Sequence, residues 1–357
     1  MYNKLLIFPF GKNTSPIVRN LSLLNYDSVS LVSPKSWGFA GKDACIVDGG
    51  DFTEVKVSYD FEEELKSCNN ILFVFENENI TIQSYIDKIQ KCIKINKKVF
   101  ITPELREFLN DSINAIYDNI TVLKWNNPKA NFSFSEILPI EVPVIIVLGS
   151  GDNCNKFDIQ LSLRKYFRQN DYIVSQLGTK SYCELMGFKA LPKFLFENIS
   201  LDSKIIALNH YMYDLVKEES PDVFILGVPG GVMPYSAEIP NGFGELAFII
   251  TNAVKPDIAI YSTYTNGVDL DSLREMKKRI RYKYDSDIEF INVANSRILV
   301  NNDANPFFEY RTIDSNNILN KINTVPTSDF TMFNVLNETS SNLVNEKILE
   351  SLTNNNL

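Results

Sequence analysis

Residues 147–158 read VLGSGDNCNKFD: an apolar strand end, a turn built on Gly149, Ser150 and Gly151, and a lysine, Lys156, that opens a helical pattern. A phosphate-binding loop needs this order. Successive backbone N–H groups converge at a helix N-terminus, a lysine reaches the outer phosphates, and a neighbouring Ser or Thr hydroxyl holds Mg²⁺. Asn155 precedes the lysine, and asparagine is the residue that best tolerates positive φ after glycine itself, so the turn can survive. Phe157 follows it and can neither ligate a metal nor bond a phosphate, so direct Mg²⁺ ligation there is lost. Asp158 points about 100° further round the helix. Its carboxylate would repel triphosphate oxygens unless a metal lay between.

Ligands of open α/β sheets sit beyond the carboxyl ends of the strands, so the other apolar runs are read there. The first ends in Gly178, Thr179 and Lys180, where the lysine could neutralise phosphate or stand exposed. The second, DVFILGVPGGVMPY at 222–235, carries no acid at its end, and Gly230 and Gly231 allow close backbone approach or a plain turn. In the third, Ser262, Thr263 and Asn266 suit the reading of a base, or an ordinary turn. Glu245 stands early in a helix, where it meets the dipole favourably. Asp158 and Glu245 are the candidate catalytic acids. His210, with Tyr213 and Asp214 at i+3 and i+4, could shuttle a proton but reads first as a packed or surface histidine. No G-x-S-x-G elbow supports a serine hydrolase.

Alternating apolar runs and helical periods must position these groups. From 4 to 109 the chain runs KLLIFPF, SPIVRNLSLL, SVSLVS, NILFVFEN, ITIQSYIDKIQKCIKI and KKVFITP. Strands separated by helices imply a parallel sheet covered on both faces, a Rossmann-like domain. Its first turn, FGKNTSP, lacks G-x-G-x-x-G, so NAD is not expected, and Pro16 suits a first helical turn. Residues 125–143, rich in Asn, Pro and Ser, mark a boundary. The second domain repeats the α/β pattern through VIIVLG, YIVSQLG, DVFILGV, DIAIYST and DIEFINV, again with a mostly parallel sheet. The expected division is 1–135 (Rossmann-like), 136–320 (P-loop-NTPase-like, degenerate) and 321–357, a tail with one short helix.

With 357 residues, 45% apolar and 22% charged, the chain has material for two cores. A net charge of −9 repels phosphate backbones, so nucleic acid is not an expected partner, and the basic stretch 274–284 reads as a solvated helix face. Five dispersed cysteines and one histidine form no zinc set and read as reduced thiols. No membrane span or signal peptide is legible, so the expected location is cytoplasmic.

The loop resembles the longer G-T-x-x-x-x-G-K-[ST] loop of dethiobiotin-synthetase-like ATPases, with Gly149 seven residues before Lys156. Those proteins place a Glu before a glycine turn where this chain has Ile225 to Gly231, so a second metal position is missing. Two readings stay open: a plain strand–turn–helix crossover, or a retained anion cradle. The ordered set VLGSGDNCNKFDIQLSLRK, QLGTKSYCELMGF, FILGVPGGVMPYS, IPNGFGELAFIITNAVKPD and STYTNGVD resembles a clostridial peptide-maturation-system family. The resemblance implies natural product biosynthesis: an accessory role in maturing a ribosomally synthesised, Cys-rich, bacteriocin-like peptide, with the precursor peptide and a radical-SAM maturase as partners. ATP or GTP is the candidate ligand. An ATP-dependent ligase or group-transfer enzyme of that pathway, and a non-catalytic protein docking the precursor or maturase, are the alternatives.

Overall fold

The computed structural model describes residues 3–76, 79–128, 136–237, 239–301, 307–325 and 328–354. The chain forms two compact units, one of Met1–Asp48, Phe52–Trp125 and Lys180–Ala190, the other of Gly49–Asp51, Asn126–Thr179 and Leu191–Leu357.

The first unit runs β1 (Lys4–Phe8), α1 (Ser15–Arg19), β2 (Ser28–Val32), α2 (Cys45–Asp48), β3 (Val57–Ser58), α3 (Phe61–Ser67), β4 (Asn70–Phe73), α4 (Ile82–Lys94), β5 (Lys98–Ile101), α5 (Pro103–Leu109) and β6 (Ile120–Val122). Its strands are parallel, in the Rossmann-like order β3-β2-β1-β4-β5-β6. Helix α4 shows why the segment folds so. Tyr85, Ile86 and Ile89 recur at helical spacing and are buried in one cluster with Phe8, Phe73 and Ile101, while the Thr81 side chain accepts from Ser84 N. Pro16 sits in the first turn of α1, where its missing N–H removes no helix bond.

The chain continues through β7 (Val144–Gly149), α6 (Lys156–Gln169), β8 (Val174–Gly178), the two-residue β9 (Lys189–Ala190), α7 (Leu201–Glu219), β10 (Val223–Gly227), α8 (Glu245–Ala253), β11 (Ile258–Thr263), α9 (Leu270–Tyr284), β12 (Ile288–Val293), β13 (Ser296–Asn301), β14 (Phe307–Thr312), α10 (Ser315–Asn323), β15 (Thr331–Phe333) and α11 (Glu338–Asn354). Within the second unit the parallel order is β15-β12-β11-β7-β10-β8, while β13 and β14 pair as a separate antiparallel hairpin.

Every residue of β7 is buried, as expected of a parallel strand covered on both faces. On one face Ile145 and Val147 meet Ile159, Leu163 and Phe167 of α6 together with Val344, Ile348 and Leu352 of α11. On the other, Ile146 and Leu148 join Leu208, Met212, Ile249 and Ile250 from α7 and α8. Each such side chain contributes about 1.5–3 kcal/mol on burial. The stretch after 320 thus supplies an edge strand, Met332 opposite Ile291, and a packed helix. The consequence for function lies in register. Ile146 pairs with Leu226 of β10, and Gly149 with Ser262 of β11, so the loop after Gly149 leaves a central strand between the carboxyl ends of two neighbours. No helix among the described residues is long and apolar enough to cross a membrane.

Candidate functional site

The turn after β7 is held open by its neighbours. Ser150 N–H donates to Ser262 O at 2.9 Å, Val232 N–H donates to Gly149 O at 3.0 Å, and Asn241 Nδ2 donates to Ser150 O at 2.7 Å. Ser262 Oγ donates to Cys154 O and Tyr264 OH to Asp152 O, so the loop's carbonyls point outward into the frame. Its N–H groups do not. Those of Gly151, Asp152, Asn153 and Asn155 find no acceptor among the described residues.

Asn153 and Asn155 adopt φ of 53° and 59°, the left-handed region that asparagine tolerates best after glycine. As the N-cap of α6, Asn155 makes no side-chain cap bond. Its amide is occupied elsewhere: Nδ2 donates to Asp158 Oδ2 at 2.9 Å, and Oδ1 accepts from Asn295 N at 2.9 Å. A helix start without a side-chain cap leaves its N–H groups for an anion.

Lys156 is buried, and its aliphatic stem lies back across the strand end. A Cβ at Gly149 would stand 2.8 Å from Lys156 Cδ and 2.8 Å from Cys154 Sγ, so any larger residue there would displace both side chains. The ammonium donates to Gly230 O, bridging the loops after β7 and β10. Gly230 has φ of +66°, which favours glycine, and a Cβ at Gly231 would collide with Asn241 and with Ser150 O, so a side chain there would shift the loop. Burial raises the Cys154 thiol pKa, and the Tyr261 hydroxyl is pushed up to about 12. Both stay neutral at physiological pH. Ser150 Oγ and Tyr261 OH lie 2.7 Å apart, and Ser150 Oγ lies 3.3 Å from Thr263 Oγ1.

The remaining candidates have different surroundings. Asp158 is buried, and its Oδ2 holds the Asn155 amide. The Glu245 carboxylate is half exposed and pairs at 3.3 Å with buried Lys204. Asn266 exchanges two bonds of 3.2 Å with the backbone of Ile298. Thr179 follows β8 directly and is partly exposed, whereas Lys180 belongs to the first unit, where it donates to Asn13 Oδ1 at 2.9 Å. His210 Nε2 lies 2.9 Å from Glu136 O, remote in sequence from the loop.

Mg²⁺ does not fit the positions such loops use for it. Phe157 supplies no oxygen. At the end of β10 a Cβ on Gly227 would stand 2.3 Å from Gln160 Oε1, so the buried Gln160 amide fills the place an acid would need. Among the described residues no three His, Cys, Asp or Glu side chains gather to hold a metal ion.

Sequence reasoning missed the asparagines that brace the loop. Asn292, Asn295 and Asn334 are fully buried: Asn292 Nδ2 donates to Ser262 Oγ at 2.8 Å, and Asn334 Nδ2 to Asn295 Oδ1 at 2.6 Å. The available signal was a polar residue inside an apolar run, INVAN at 291–295, since a buried amide persists only where it is hydrogen-bonded.

Fold and loop together define an α/β protein with a Rossmann-like unit and a P-loop-NTPase-like unit. No protein-family model matches the chain, and no curated protein matches it. Among solved structures it is similar to a DUF1611 family protein from Anabaena variabilis ATCC 29413, with a TM-score of 0.59 and 9% identity over 98% of this chain and 99% of that one. At that identity the likeness is one of fold. A GTPase from Pyrococcus abyssi in apo form (TM-score 0.27, 15% identity, 42% of this chain and 66% of that one) and a LAO/AO transport system kinase (TM-score 0.33, 10% identity, 59% of each) are similar over part of the chain.

Proposed function

We propose that the second unit binds the phosphates of ATP or GTP, or another anionic ligand, at the loop of residues 149–156, and that it does so without Mg²⁺-dependent turnover. The observation that carries this is the set of N–H groups of Gly151, Asp152, Asn153 and Asn155, without an acceptor among the described residues and beside a buried lysine. An arriving phosphate satisfies several donors at once and competes with Gly230 O for the Lys156 ammonium, so binding frees the loop after β10 from its bridge. With Phe157 and the Gln160 amide where metal ligands would stand, the role is that of a nucleotide-responsive binding protein.

The test is a calorimetric titration with ATP and GTP, with and without Mg²⁺, alongside a hydrolysis assay and Lys156→Ala. Binding that is insensitive to Mg²⁺, weakened at least tenfold by Lys156→Ala and unaccompanied by hydrolysis is expected. Turnover abolished by that substitution would instead support an ATP-dependent ligase or group-transfer enzyme. Absence of binding would support a docking protein.

For the biological setting we propose an accessory role in maturing a ribosomally made, Cys-rich, bacteriocin-like peptide, with the precursor and a radical-SAM maturase as partners. The resemblance of the five motifs between residues 147 and 269 supports this reading. Titration with a purified Cys-rich precursor encoded beside the gene tests it, and a locus without such a reading frame would remove it.

A further inference from the structure

Between the loop after β10 and the start of α9 lies a cavity of about 230 Å³ that the phosphate loop does not use. Its only residue from that loop is Ser150. Val232 and Leu273 are buried in its walls, Met233 and Met276 are partly buried, and Tyr235 and Ser272 stand exposed at its edge, so it reaches solvent. Among the described residues no charged side chain lines it.

Three hydroxyls meet in the lining. Tyr261 OH, Ser150 Oγ and Thr263 Oγ1 are linked at 2.7 and 3.3 Å, and Tyr261 and Thr263 are both almost wholly buried. Hydroxyls both donate and accept, so this cluster can turn to meet either kind of group. An ion entering such a site would give up hydration with no counter-charge among the described lining residues, which disfavours it. A neutral group with one polar end would keep its hydrogen bond and bury its apolar body. At about 230 Å³ the cavity falls below the roughly 300–1,000 Å³ of pockets for drug-sized ligands, so it suits a fragment. Unbranched methionines adapt to varied shapes, which suits a ring or a branched chain.

We infer that this cavity is a second ligand site, specific for an uncharged, mainly apolar group of single-ring size bearing one hydroxyl or amide. It lies next to the anion cradle through Ser150 but does not require nucleotide binding. The neutral end of a small molecule is the chemistry it fits.

Ligand-observed NMR titration of the full chain without nucleotide tests this, using phenol, toluene, benzoate and benzylammonium as probes. Phenol is expected to bind at least tenfold more tightly than benzoate or benzylammonium. Met276→Trp, which fills the cavity, is expected to abolish phenol binding while circular dichroism stays unchanged. Should that variant not fold, Thr263→Val gives a second readout: a loss of threefold or more for phenol with toluene unaffected. Equal or tighter binding of the charged probes, no phenol binding to the parent protein, or phenol binding unchanged in these variants would overturn the inference. A failed ATP and GTP titration beside successful phenol binding would discard the anion site and leave this one standing.

Discussion

The backbone N–H of Asn295 donates to Oδ1 of Asn155 at 2.9 Å, joining two buried residues separated by 140 positions in the chain. This bond settles what the asparagine beside Lys156 does. It holds the start of α6 in place without capping it, so the loop's own N–H groups stay available.

Replacing Asn155 by Ala therefore removes two bonds and places an unsuited residue at φ 59°. The conformational term is about 1–2 kcal/mol and a buried group left unpaired about 1–3 kcal/mol, so a loss of roughly 2–5 kcal/mol is expected. Asn155→Gly relieves the first term only and should lose less. Urea unfolding of both variants checks the ranking.

Gly230 and Gly231 should respond differently to alanine. At Gly230 nothing lies within 4 Å of the added carbon, and the only penalty is φ +66°, about 1 kcal/mol. At Gly231 the carbon would stand 1.6 Å from Asn241 Nδ2 and 2.6 Å from Ser150 O, so the loop itself must move. Gly231→Ala is expected to destabilise by about 1–3 kcal/mol and to weaken ATP or GTP binding at least tenfold. Equal effects of the two substitutions on binding would contradict the proposed placement.

The Tyr261 hydroxyl, raised by burial to about 12 from an ordinary value of 10.0, gives a signed pH dependence. The folded state holds this proton more tightly than the unfolded state. Its contribution to stability is thus fully present below pH 10 and is lost as pH rises through about 12. Burial also raises Tyr85, Tyr211, Tyr264, Tyr284 and Tyr310, so absorbance at alkaline pH should show a group of late-titrating tyrosines that is smaller by one in Tyr261→Phe, and that variant's stability should fall less steeply above pH 10.

Glu245 is assigned a structural part, since its carboxylate meets the ammonium of Lys204, whose side chain is 7% exposed. Glu245→Gln should lower stability by about 1 kcal/mol or less, because the glutamate itself is half exposed. Nucleotide affinity should stay within twofold of the parent. A large loss of affinity measured by calorimetry would instead favour Glu245 as a candidate catalytic acid.

Much of the architecture was legible along the chain because local pattern and burial agree. VIIVLG, DVFILGV and DIAIYST are apolar runs without alternation, the mark of strands covered on both sides, and each became a strand. The short β3, β6 and β15 left no such mark, because strands of two or three residues show no period. The hairpin of β13 and β14 was also missed, since SRILVN and FFEYRT are joined by no short glycine turn.

By itself the sequence determined the α/β class, the position of the loop between a buried strand and a helix, and the absence of an oxygen at Phe157, since each depends on residue type and on neighbours a few positions away. Tertiary structure alone decided what the polar groups do. It turned Asp158 toward Asn155, filled the end of β10 with the Gln160 amide, and brought Asn292, Asn295 and Asn334 beneath the loop. Hydrogen bonds between distant segments exist only once the sheet sets their register, so no local pattern in the chain encodes them.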